Sequence, residues 1–256
     1  MIPLTPLFAQ YKDSFFLYIF RSVDRIRMCK SKHLASILAT ELTYLYNIAS
    51  VITYKYVLQH EIQELNKWTA TLDPKYDLAH LKNLYENKLE ELNLRAFQPN
   101  NYAYTFTTIW NVIHFLSMFG DYLVMARNTM SYEKTVSHLR QIKAIFYNLF
   151  FKLDCAMCRD HYLNVKGHMI VAIERIEICL NNERFGKEIE FVDEITSFNV
   201  AQNTLMKHSL LYNSMVFHNH INNYKWLQRN MKPPADAHNM QWQNYKKLLG
   251  LEQTQS

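Results

Sequence analysis

Turn-forming residues are scarce in this chain of 256 residues: it holds 4 Gly and 6 Pro, where average usage of about 7% and 5% would supply roughly 30. Sandwiches, barrels and doubly wound sheets depend on such residues between short strands, so the scarcity excludes them and predicts an all-α chain. Long apolar runs are missing as well. No stretch nears the roughly 18 consecutive apolar residues of a membrane span, and the runs at 15–20 and 145–151 are short and bounded by charge or amide. No small-residue cleavage site follows the first run, so neither a secretory signal nor a transmembrane segment is expected. Basic blocks are absent too: 28 Lys+Arg against 23 Asp+Glu give a formal charge of +5 with no run of five or six, which predicts a mixed solvated surface and no nucleic-acid partner. Four cysteines are too few for a disulfide scaffold, so a pair at motif spacing is weighed as redox or metal chemistry.

What the sequence does hold is a folded composition, 49% hydrophobic and 20% charged, enough for one large core or two modest ones. Leu34, Ile37, Leu38, Leu42 and Leu45 keep to one helical face, and Leu81, Leu84, Tyr85, Leu89 and Leu92 repeat the pattern. Thr71-Leu72-Asp73-Pro74 and Gln98-Pro99-Asn100-Asn101 interrupt it, because proline cannot continue a helix and restricts the residue before it. Beyond the second break, helices are predicted over about 105–118, 135–151, 155–165, 170–180 and 202–229. Lys232-Pro233-Pro234 stops the last of them, and a polar tail carrying Trp242 follows. The organisation expected is a helical N-terminal domain at 1–99, a chemically distinctive domain at 100–235 and a tail at 236–256.

Cys155-Ala156-Met157-Cys158 is the one cysteine pair at motif spacing. With Asp154 as N-cap it would open a helix, where unpaired backbone N–H groups and the helix dipole lower a thiol's pKa. Cysteines three apart on a helix share a side and can form a disulfide across one turn. Incidental buried thiols remain an alternative. So does a zinc half-site completed by His161 or His168, although no second CxxC supplies the four ligands a structural zinc takes. A thioredoxin-like reading needs a βαβ setting that this chain does not offer. Cys29 and Cys179 stand alone and read as buried, inert thiols.

Two other constellations carry aromatic and imidazole groups. Trp110 and His114 lie at i and i+4 of one predicted helix; His218 and Asn222 do so on another, with Asn219 and Trp226 close by. Such residues grip a flat ligand rich in hydrogen-bonding edges.

In this order the three segments resemble the motifs of the Erv/ALR-type FAD-linked sulfhydryl oxidases: WxxxH at 110–114, CxxCxxHY at 155–162 and HNxIN at 218–222. The resemblance spans about 100–230, and a single oxidase unit behind a helical half without the motifs is most similar to the baculovirus branch of that family. It implies an FAD-binding four-helix bundle preceded by a degenerate oxidase-like half. It further implies that Cys155 and Cys158 take electrons from protein thiol substrates and pass them through FAD to O2, giving H2O2. Trp110, His114, His161, His218, Asn219, Ile221 and Asn222 would line the cofactor. The family's phosphate-binding lysine falls on Leu227 here, leaving Lys225, Arg229 and Lys232 as substitutes, with Lys225 chosen. A homodimer, with the host cytoplasm, the nucleus and the virion as locations, follows from the same resemblance. The rival readings are a helical zinc-binding adaptor using Cys155, Cys158 and nearby histidines, and a helical interaction protein with an idle cysteine pair. Both predict a colourless protein.

Overall fold

The computed structural model describes every residue except 1, 154, 197, 200, 233, 235–238 and 253–256, and the backbone alone at 225 and 227. In chain order it runs α1 (Pro6–Met28), α2 (Lys32–Tyr54), α3 (Gln59–Ala70), α4 (Leu78–Glu91), α5 (Phe106–Met125), α6 (Tyr132–Asn148), α7 (Ala156–Val165), α8 (Gly167–Arg184), β1 (Glu190–Val192), β2 (Thr204–Met206), α9 (Ser209–Leu227) and α10 (Trp242–Leu248). The all-α class holds, since the strands form only a three-residue parallel pair with Phe191 opposite Leu205. Helix starts follow capping chemistry: the side chains of Ser31, Asp77 and Ser131 accept from the amides of Leu34, His80 and Lys134.

The chain divides into two compact units, one of Gln10–Val112 and one of Met1–Ala9 with Ile113–Ser256. The first has a core dominated by aromatic rings. Phe97 is fully buried, with Phe16, Tyr54 and Tyr46 centred 5.8, 5.9 and 6.4 Å from it. The leucine faces read from the sequence supply Leu38, Leu42 and Leu45 from α2 and Leu81, Tyr85 and Leu89 from α4. Helix α2 is the one described helix long and apolar enough by length and composition to cross a membrane; its apolar side lies in this core.

The other unit contains a closed four-helix bundle. The Phe119 ring of α5 meets His138 of α6 edge-on at 6.4 Å. Lys143 of α6 pairs with Glu177 of α8 at 2.9 Å, and the ring of His168, on α8, stacks near Phe217 of α9 at 6.0 Å. His114 of α5 then meets Ser214 of α9 at 2.8 Å. Arg127 clasps Glu183 at the end of α8 through two bonds of 2.7 and 2.8 Å.

Three expectations need correction. The helix read over 202–229 begins only at Ser209, because Thr204–Met206 pairs with β1 and His208 turns the chain through a left-handed conformation at φ 57°. The stretch read as a polar tail contains α10, whose Tyr245 and C-cap residue Leu249 are buried at a helical spacing of four. Cys29 is half-exposed in the turn after α1, not buried, whereas Cys179 is buried as expected.

Candidate functional site

Helix α7 begins one residue later than a cap at Asp154 requires, and Asp154 itself lies outside the described residues. Cys155 is the N-cap: its extended backbone turns the thiol back so that Sγ accepts from the amide of Cys158 at 3.2 Å. Arg159 donates to the carbonyl of Leu153 at 3.0 Å, and the Tyr162 hydroxyl to that of Phe146 at 2.6 Å, fixing the chain on both sides of the pair.

The two thiols are free and differ in environment. Cys155 is exposed, and its pKa is lowered by hydrogen bonding from the Cys158 side chain, then by the backbone amides of Cys158 and Met157 and by the Arg159 charge. Cys158 is partly covered, and burial together with its hydrogen bond to Cys155 pushes it up to about 11. The arrangement therefore sets an exposed, thiolate-prone sulfur beside a shielded one that keeps its proton.

Helix α9 carries two further clusters. His218 and Ser214 point toward α5: His114 Nδ1 lies 2.8 Å from Ser214 Oγ and its Nε2 lies 3.0 Å from His218 Nδ1. The Ser214 hydroxyl donates to the carbonyl of Leu211 at 2.7 Å, so it accepts from His114 Nδ1–H. His114 Nε2 is then an acceptor, and His218 Nδ1–H donates to it. Burial, with His218 as a lesser cause, lowers His114 to about 3, and burial lowers His218 to about 4; both rings are neutral. Tyr245 of α10 closes this side with its ring 5.4 Å from that of His114.

His220 and Tyr224 sit about 200° and about 240° around α9 from His218, two and six residues on at 100° per residue, and meet α7 and α8. His161 stacks on Tyr224 at 3.3 Å with planes 16° apart, and the His220 ring lies 5.6 Å from both His161 and His168. The Nε2 atoms of His161 and His220 are buried and have no hydrogen-bond partner among the described residues. Burial, then each one's imidazole neighbour, lowers the pKa of both. A ladder of planar rings with unsatisfied ring nitrogens suits a flat heteroaromatic group that stacks and offers polar edges. FAD is such a group, so this donor set fits it.

The predicted residues are thus placed unevenly. His114 joins His218, and His161 joins the ladder on the opposite side of α9. Asn219 spends its amide on the tail, donating to the carbonyl of Met240 at 2.9 Å and accepting from its amide at 2.8 Å. Asn222 is exposed, Ile221 half-buried, and Arg229 and Lys232 are exposed; the Lys225 side chain lies outside the described residues. Trp110 is buried one turn before His114 on α5, edge-on to Phe106 at 6.3 Å. Ser214, His220, Tyr224 and Tyr245 escaped the sequence reading. The i–4 spacing of Ser214 from His218, and the Trp242-x-x-Tyr245 step of a short helix, are the signals that mark two of them. Among the described residues no group of three or more His, Cys, Asp or Glu side chains could hold a metal ion, so the zinc-adaptor reading has no donor set.

A family profile described as Baculovirus P33 matches residues 5–251. The FAD-linked sulfhydryl oxidase of Autographa californica nuclear polyhedrosis virus is 49% identical over 259 residues, covering 98% of this chain and all of that protein. The 33 kDa early protein of Orgyia pseudotsugata multicapsid polyhedrosis virus is 44% identical over 282 residues, with 98% of this chain and all of the relative covered.

Proposed function

The chain belongs to the baculovirus P33 family, and we propose that it is an FAD-dependent thiol oxidase that forms disulfide bonds in protein substrates. The observation that carries this reading is the unequal pair at the start of α7, an exposed sulfur of lowered pKa beside a shielded one of raised pKa. The near-full-length identity to a protein named FAD-linked sulfhydryl oxidase supports it.

The chain's own residues account for the thiol half of the reaction. In the oxidised enzyme a substrate thiolate attacks Cys155 Sγ, and Cys158 leaves with the bond's electron pair and takes up a proton. A second substrate thiolate attacks the substrate sulfur of the mixed disulfide and expels Cys155. The amide of Cys158 and the Arg159 charge stabilise the departing thiolate. Substrate has then lost two electrons and two protons, and the enzyme holds the reduced pair, Cys158 as thiol and Cys155 as thiolate, with the second proton left to solvent. FAD, when bound, supplies the two-electron acceptor that reoxidises the pair and is itself reoxidised by O2, giving H2O2.

His161, His220 and Tyr224 would hold the cofactor by stacking and by satisfying the two orphaned Nε2 atoms. Trp110, His114, His218, Asn219, Ile221, Asn222 and Lys225 complete the proposed binding set. The oxidase chemistry belongs to 100–235; the domain at 1–99 carries only Cys29, and the tail at 236–256 braces α9 through Met240. The enzyme acts as a homodimer in the host cytoplasm and nucleus and in the virion. Purified full-length protein is expected to show a flavin spectrum and to consume oxygen as it oxidises dithiothreitol, with turnover lost in Cys155→Ser and Cys158→Ser while the flavin stays bound. Protein without flavin, or turnover undiminished in either variant, overturns the reading.

A further inference from the structure

Helix α9 begins without a cap of its own. His208, its N-cap residue, is left-handed at φ 57° and ψ 42° and offers no side-chain bond to the first turn. A helix start leaves its first backbone N–H groups unsatisfied, and burying them unpaired is costly. Here the acceptor comes from another helix. Asp121, on α5, is 6% exposed, and its two carboxylate oxygens accept from the amides of Leu210 at 3.0 Å and Leu211 at 2.9 Å.

The residue before it makes the approach possible. A Cβ at Gly120 would meet Cδ1 of Leu210, so the missing side chain gives the leucine of α9 its place against α5. Seven residues back on the same face of α5, His114 holds Ser214 and His218. The two helices are therefore pinned at both ends of one seam, by a carboxylate on the helix start and by an imidazole two turns along. Burial pushes the Asp121 carboxyl up to about 7 against the pull of its two amide donors. Charge at this position thus costs the fold free energy, whereas removing the carboxyl would leave two buried N–H groups without an acceptor.

We propose that Asp121 is a positioning residue for the flavin site: its bidentate bond to the first turn of α9 sets that helix in register against α5, and thereby aligns His220 and Tyr224 with His161 and His218 with His114. A shift of α9 by one residue would carry those rings out of line, by 1.5 Å of rise and 100° of turn. The inference rests on the reading of these rings as a flavin site.

The test is FAD titration onto full-length apoprotein by fluorescence, with amide exchange followed at Leu210 and Leu211. Asp121→Leu removes both acceptors and Asp121→Asn keeps one. In Asp121→Leu the dissociation constant for FAD is expected to rise about tenfold, equivalent to about 1.4 kcal/mol, with Asp121→Asn intermediate and both amides exchanging faster. Leu89→Ala, a core change in the unit Gln10–Val112, serves as the control for lost stability and leaves the dissociation constant unchanged. FAD affinity equal to wild type in folded Asp121→Leu overturns the proposal, as does an equal loss of affinity in Leu89→Ala. Should Asp121→Leu fail to fold, wild-type affinity in Asp121→Asn overturns it in the same way. A wild-type chain that binds no FAD defeats the oxidase reading itself, a result distinct from variants that bind as well as wild type.

Discussion

Acidification tests the neutral imidazole pair at the α5–α9 seam. Below pH 6.5 an unfolded chain protonates His114 and His218, whereas the folded chain refuses both protons until about pH 3 and pH 4. The refusal has a geometric cause. A proton on His114 Nε2 would face the N–H of His218 and break the 3.0 Å bond, and the buried ring has no water to solvate the charge. The stability contribution of each ring is therefore fully present above pH 6.5 and is lost as pH falls toward its folded value. At 1.36 kcal/mol per unit, each ring has cost about 2 kcal/mol by pH 5, against a total domain stability of about 5–15 kcal/mol. Asp121, whose pKa is raised, works in the opposite sense, its contribution being lost as pH rises through about 7. A variant comparison separates the two. Urea unfolding at pH 7, 6 and 5 is expected to show stability falling more steeply in wild type than in His114→Gln, by about 1.4 kcal/mol per pH unit between pH 6 and 5. Equal slopes in the two proteins, or an imidazole signal of His114 titrating near its ordinary value, would refute the tautomer and burial argument.

Alkylation by iodoacetamide should modify Cys155 before Cys158 at neutral pH, with the rate at Cys158 rising only toward its pKa of about 11; equal rates, read by mass spectrometry, contradict the asymmetry. Tyr245→Ala removes a ring that is 2% exposed against His114 and should destabilise the protein by about 3–5 kcal/mol, the usual range for a large buried aromatic. Protection of α10 amides from exchange should fall with it, and unchanged protection would show that α10 is not held there. Phe97→Ala should cost a similar ~3–5 kcal/mol in thermal or denaturant unfolding, because three aromatic neighbours lose their contact at once. A cost below about 1 kcal/mol, the range of ordinary surface changes, would contradict the packing described.

The fold was legible where one stretch of sequence contains its own reason. Leucine spacing marks α2 and α4, proline marks the breaks, and the cysteine pair lies at a helix start. What escaped depends on partners far along the chain. Gln202 to Met206 has nothing local against helix, but β1, some fourteen residues earlier, offers a strand edge and the pairing wins. The cap expected from Asp154 is replaced by Cys155 because α7 starts one residue later, a difference below what capping preferences resolve. Asp121 carries no signal at all, since a carboxylate on an apolar helix reads as solvated until α9 is placed on it. His161 and His218, read as parts of one binding set, prove to face opposite sides of α9, because two residues of helix separate His218 from His220 and no motif spacing records which neighbour each face meets.

That division across α9 bears on how the chemistry is organised. The cysteine pair and the unsatisfied nitrogens belong to one side, with α7 and α8; the satisfied, neutral imidazole pair belongs to the other, with α5 and α10. Every polar atom named on the His114 side has a partner: Ser214 uses both its donor and an acceptor, and His114 uses both ring nitrogens. A fully connected buried network has two discrete states, made or broken, and so holds a helix to one position instead of a range. The ring ladder is the reverse, stacked yet incompletely bonded, and its missing partners are those a heteroaromatic edge supplies. Rigid bonding on one face of α9 and unmet bonding on the other are what the proposed site requires: a face that is to take a ligand needs its register fixed from behind.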